Sequence, residues 1–135
     1  MPISFDSALG VHDKALVLRS QRAELLASNM ANSDTPGYKA KDIDFKSALA
    51  NVQANVQAGN NTRMHTTHAK HIALPDINTS TQTMYRVPNQ ASLDGNTVDA
   101  NLEKSAFAEN ALRYQASLSF LDGKFKGLKA ALKGE

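Results

Sequence analysis

Residues 99–134, DANLEKSAFAENALRYQASLSFLDGKFKGLKAALKG, carry the pattern that decides the fold. Within them Phe107, Ala111, Tyr114, Leu118, Leu121, Phe125, Leu128 and Leu132 recur at alternating steps of four and three. This heptad seam predicts one C-terminal helix over residues 98–135, opening near Val98 or Asp99 after the Asp94-Gly95 turn. At 1.5 Å per residue such a helix is about 50 Å long. Its apolar side needs a partner.

A second stripe runs beside the first: Ala116, Ser119, Gly123, Gly127, Ala130 and Gly134, all small. Glycine inside a helix costs about 1 kcal/mol relative to alanine. Ala116, Gly123 and Gly127 are therefore read as places where the backbone of a neighbouring helix comes close, the alternative being fraying at the helix end. Lys124, Lys126, Lys129 and Lys133 suit the negative end of the helix macrodipole.

The N-terminal zone, residues 1–32, reads as a second helix from about Phe5 to Asn32, with Gly10 as an early breaker. Leu9, Leu16, Ala23 and Met30 lie seven apart, and Val11, Leu18 and Leu25 form a parallel series. Two adjacent stripes make a face broader than one partner helix needs. Leu9, Leu16 and Leu26 join the C-terminal heptads as candidate assembly-seam residues. The helix stops in Asn32-Ser33-Asp34-Thr35-Pro36-Gly37, where Pro36 disfavours helical geometry at Thr35 and Gly37 permits a turn with positive φ.

Between the helices, residues 33–97 read as a turn, a short helix over Phe45 to about Gln57, and a loop region. Residues 51–96 are rich in Asn, Gln and Thr, with Pro75 and Pro88 as breakers. Tyr85 is the one aromatic residue between Phe45 and Phe107, so this segment has little with which to build a core. It is expected to be irregular and partly flexible in the free chain.

Chemistry is sparse. The 135 residues include five Phe, three Tyr, no Trp and no Cys, so neither disulfide nor thiol chemistry is available. The net charge of +2, with acidic and basic residues interleaved, gives no basic patch for nucleic acid. His65, His68 and His71 are spaced three apart, but neither cysteine nor a placed carboxylate completes a zinc set. Asp42 and Asp44 share one face of an extended segment and default to solvated carboxylates. Without a nucleophile motif or phosphate loop the sequence carries no enzyme signal and calls for no cofactor or small-molecule substrate. Met1–Gly10 has neither the basic start nor the apolar run of a signal peptide, and no stretch approaches the roughly 20 apolar residues of a membrane helix.

The string Ser28-Asn29-Met30-Ala31-Asn32-Ser33-Asp34-Thr35-Pro36-Gly37-Tyr38-Lys39 closely resembles the signature of flagellar basal-body rod and hook proteins. Asn29 and Asn32 can satisfy backbone groups at the helix end, Thr35, Pro36 and Gly37 make the exit, and Tyr38 offers an apolar ring with a polar tip to anchor it. Lys41-Asp42-Ile43-Asp44-Phe45, Leu93-Asp94-Gly95-Asn96-Thr97-Val98-Asp99 and Tyr114-Gln115-Ala116-Ser117-Leu118 are similar to the short proximal-rod members. Residues 52–92 match only loosely.

The resemblance implies a mainly α fold in which long N- and C-terminal helices pair as a coiled coil and an irregular middle segment connects them. It implies a structural subunit of the proximal rod, exported by the flagellar type III apparatus without a cleaved signal, and located in the basal body where the rod spans the periplasm. The expected partners are other copies of the chain, other rod proteins, and membrane-ring, rod-junction and export-gate components. Phe5 and Leu9 fit a Phe-x-x-x-hydrophobic export motif, with ordinary helix packing as the alternative. A soluble coiled-coil adaptor would explain the heptads but not the turn signature, and a three-histidine metal module would explain neither.

Overall fold

The computed structural model describes residues 9–57, 68, 83–89 and 92–134. Three helices and one two-stranded sheet make up these residues: α1 (His12–Ala31), β1 (Lys41–Ile43), α2 (Phe45–Gln57), β2 (Thr83–Tyr85) and α3 (Ala100–Lys133). The fold is mainly α, as the heptads imply, and its long first and last helices lie side by side.

Each helix boundary has a local cause. Helix α1 is shorter than the stretch from Phe5 to Asn32, because Gly10, with φ of 64°, and the turn at Val11 interrupt the helical ladder. Asn32 ends it by returning its side-chain amide to the Ser28 carbonyl at 2.8 Å. Helix α2 spans the residues that the sequence suggests, opened by Asp44, whose carboxylate accepts from the Ser47 amide (3.2 Å) and hydroxyl (2.6 Å). At α3 the Asp99 carboxylate accepts from the amides of Asn101 (3.0 Å) and Leu102 (3.2 Å), an N-cap worth about 1 kcal/mol.

Helices α1 and α3 run antiparallel. Asn29 meets Glu103, Arg19 meets Asn110 and Ser117, and the His12 ring lies 6.0 Å from that of Phe120. The line on α3 that faces α1 is polar and heptad-spaced: Glu103, Asn110 and Ser117 are all buried. Among the described residues the apolar core opposite is formed by Ala15, Leu18 and Leu26 of α1 with Ala40 and Ile43. Leu26, one of the candidate assembly-seam residues, is fully buried in this core. Position 26 sits between Leu18 and Asn29 on the helical face that α3 and β1 cover.

Strands β1 and β2 pair antiparallel, Lys41 opposite Tyr85, Asp42 opposite Met84 and Ile43 opposite Thr83. Thr83–Tyr85 falls in the region that composition marks as loop. A three-residue strand is too short to advertise itself by alternation, whereas β1 lies in the segment that the sequence reads as extended.

Candidate functional site

The signature turn is one half of a clasp. Its other half is the Leu93–Asp99 segment that leads into α3. The Gly37 amide donates to the Asp94 carbonyl (2.9 Å), the Thr97 amide to the Tyr38 carbonyl (3.0 Å), and the Ala40 amide to the Thr97 hydroxyl (2.8 Å). Asn96, itself buried, donates its amide to the carbonyls of Asn32 (3.1 Å) and Ser33 (2.7 Å), just beyond the C-terminus of α1. Gly37 and Gly95 face each other with φ of 73° and 74°, and a Cβ on Gly95 would lie 3.8 Å from the Gly37 Cα. Positive φ at both positions is what lets the two turns nest.

Within the signature each residue has a defined place. The Thr35 hydroxyl donates to the Asn32 side chain at 3.2 Å, and the Tyr38 amide to the Thr35 carbonyl at 3.3 Å. Pro36 occupies the exposed corner. The Tyr38 hydroxyl sits 3.2 Å from the Ser28 hydroxyl and donates to Asn29 at 3.4 Å. Asn29 is fully buried and holds both backbone groups of Lys41, donating to its carbonyl (2.8 Å) and accepting from its amide (3.1 Å). The side chain thus takes the part of a third strand beside β1.

Behind the clasp lies a chain of four charges. Arg22 binds Asp42 bidentately at 2.9 and 3.0 Å; Arg86 bridges Asp42 (2.6 Å) and Glu103 (2.5 Å). Glu103 accepts through its other oxygen from Asn29 at 3.1 Å. Burial alone would raise the pKa of Asp42, but the hydrogen bonds from Arg22 and Arg86 outweigh it and hold the carboxyl below its ordinary value. The hydrogen bond to Asp42 likewise raises Arg22. Asp42 is therefore no solvated carboxylate, because folding brings two guanidinium groups onto it from distant segments. Asp44, two residues on, is exposed and caps α2.

The α3 seam divides by position. Leu121 and Leu128 are half-buried, whereas Phe107 (37%), Tyr114 (38%), Phe125 (46%), Leu118 (50%) and Leu132 (90%) are exposed. Phe120 and Leu112, outside the heptad series, are exposed as well. Ala116, Gly123 and Gly127 are exposed on the same helix, and no described atom comes within 4 Å of where a Cβ on Gly123 or Gly127 would stand. Leu9 and Leu16 of the N-terminal zone are half-buried. Phe5, His65 and His71 lie outside the described residues, and so does most of the candidate export motif. Among the described residues no cluster of three or more His, Cys, Asp or Glu could hold a metal ion, and no helix is long and apolar enough to cross a membrane.

Comparison with known proteins points to one family. Residues 9–39, helix α1 with the signature turn, match the family described as "Flagella basal body rod protein". Over its whole length the chain is 50% identical to the flagellar basal body rod protein FlgB of Aeromonas hydrophila, covering 100% of this chain and 99% of that one. It is 48% identical to FlgB of Cereibacter sphaeroides, with 97% and 98% covered, and 47% identical to FlgB of Escherichia coli K12, with 95% and 94% covered. Identity at that level over nearly the full length of both chains means that the chain belongs to the FlgB family of flagellar basal body rod proteins.

Proposed function

We propose that this chain is a structural subunit of the flagellar rod that polymerises by burying the exposed side of α3 against neighbouring subunits. One observation carries the proposal. Helix α3 meets its own partner α1 along the polar line Glu103, Asn110 and Ser117, while Phe107, Leu118, Phe125 and Leu132 face outward. Helix pairs that are complete in themselves do the reverse, placing apolar heptad positions inside.

Moving each of these side chains from its exposed position to a buried one contributes roughly 1 kcal/mol or more, and their sum can offset the ordering entropy of docking. Ala116, Gly123 and Gly127 would let a neighbouring helix approach closely where the seam is crowded. Other copies of the chain and other rod proteins are the natural occupants. Membrane-ring, rod-junction and export-gate components would meet it at the base of the rod. Passage through the flagellar type III apparatus brings the subunit there, and the assembled rod transmits torque. Stiffness and geometry, and not turnover, are its output.

The test is swimming motility in a strain lacking the gene, complemented with wild type or Leu118→Asp, with basal bodies imaged from each. Wild type restores swimming, and Leu118→Asp accumulates yet leaves rings without a rod. Normal swimming with intact rods in the deleted strain would overturn the assignment. Full rescue by Leu118→Asp would remove the α3 side from the assembly surface.

A further inference from the structure

Glu103 is the most tightly enclosed charge among the described residues, with 1% of its side chain exposed. It lies on the α3 line that packs against α1, yet what satisfies it comes from outside α3. One oxygen takes the Arg86 guanidinium, and the other takes the Asn29 amide. Arg86 directly follows β2 and reaches Glu103 and Asp42 together, while its own backbone amide donates to the Ala40 carbonyl at 2.9 Å. Asp42 in turn receives Arg22 of α1. A single guanidinium therefore joins β2 to β1, α3 and, through Asp42, α1.

We propose that Arg86 is a latch that makes close pairing of α1 and α3 at the clasp end conditional on β2 being in place. With β2 docked the four charges neutralise one another in two opposite pairs. With β2 displaced, Glu103 keeps only a neutral amide as partner, in a site closed to water. A buried carboxylate stranded in this way is strongly destabilising, whereas a neutral side chain of the same shape is not. The helix pair then opens at Glu103 to hydrate the charge. Order in the short sheet is thereby transmitted to the helices. This device is independent of what occupies the outer side of α3.

Hydrogen exchange on the purified full chain tests it, with wild type, Arg86→Ala, Glu103→Gln and the double variant compared. Arg86→Ala is expected to speed amide exchange in Arg22–Ala31 and in Glu103–Asn110 by roughly a hundredfold, the scale of a stranded buried charge. Exchange in residues 121–133 is expected to change little. Glu103→Gln in the Arg86→Ala background should recover most of the lost protection, which a role of Arg86 in simple packing would not allow. If Arg86→Ala unfolds the whole chain, restoration by Glu103→Gln still supports the latch, and failure to restore overturns it. Loss of protection confined to β1 and β2, or wild-type helices exchanging at the free-peptide rate, would overturn it too.

Discussion

The two ends of α3 use side chains in opposite ways. At the clasp end, Glu103, Asn29 and Asn96 are polar, buried and bonded to several segments of the same chain. Toward the other end, Leu118, Phe125 and Leu132 are apolar and open. Buried hydrogen bonds are directional and confer a particular geometry, while apolar area attracts any complementary surface. Shape within the subunit is thus set at one end, and apolar surface is left open at the other. Substitutions at the clasp should act on the stability of the isolated chain, and substitutions on the open side should act on assembly.

Asn29→Leu should break this contrast most strongly. The leucine fits the volume but strands the Lys41 amide and carbonyl and removes a donor from Glu103, a loss of roughly 2–4 kcal/mol. A fall in the denaturant midpoint of the free subunit checks it. Gly37→Ala comes next, because a Cβ at φ of 73° is strained whatever the space around it. A loss of about 1–2 kcal/mol in the same assay is expected.

Acid should sharpen the contrast from a different side. Asp42 is held below its ordinary value by Arg22 and Arg86 against the opposing effect of burial. Its contribution is therefore present above the unfolded carboxylate value, about 3.9, and is lost as pH falls through the lower folded value. Stability followed from pH 6 downward should decline below about pH 4, and Asp42→Asn should flatten that decline. The smallest effect on the free chain belongs to Leu118→Asp, within about 0.5 kcal/mol of wild type. An equally large drop for Asn29→Leu and Leu118→Asp would abolish the division between the two ends.

Local features were legible in the sequence. Asp99 before an apolar series, Phe45–Gln57 between breakers, and Pro36-Gly37 each fix structure within a few residues, and the helices and turns stand where those residues place them. Both halves of the clasp could be recognised separately, but their union could not, since Gly37 and Asp94 are distant in sequence. The charge chain was hidden for the same reason. Asp42 looks solvated until Arg22 and Arg86 arrive, and nothing around Arg86 distinguishes it from a loop arginine. Two signals were available. Arg22 stands between Leu18 and Leu26 on the buried face of α1, where a cation needs a carboxylate. Glu103, Asn110 and Ser117 repeat every seven residues as steadily as the leucines do, so polar side chains can mark a contact line too.

That polar line has a mechanical consequence. Sliding α1 along α3 by one heptad is a movement of about 10 Å. In an all-leucine seam the move replaces leucine with leucine and meets little resistance. Here it would take Asn29 from Glu103, Ser117 from the Arg19 guanidinium and Asn110 from the Arg19 carbonyl, all in one step. The helices are keyed like a shaft in its collar, so a subunit loaded along its axis keeps its length instead of creeping.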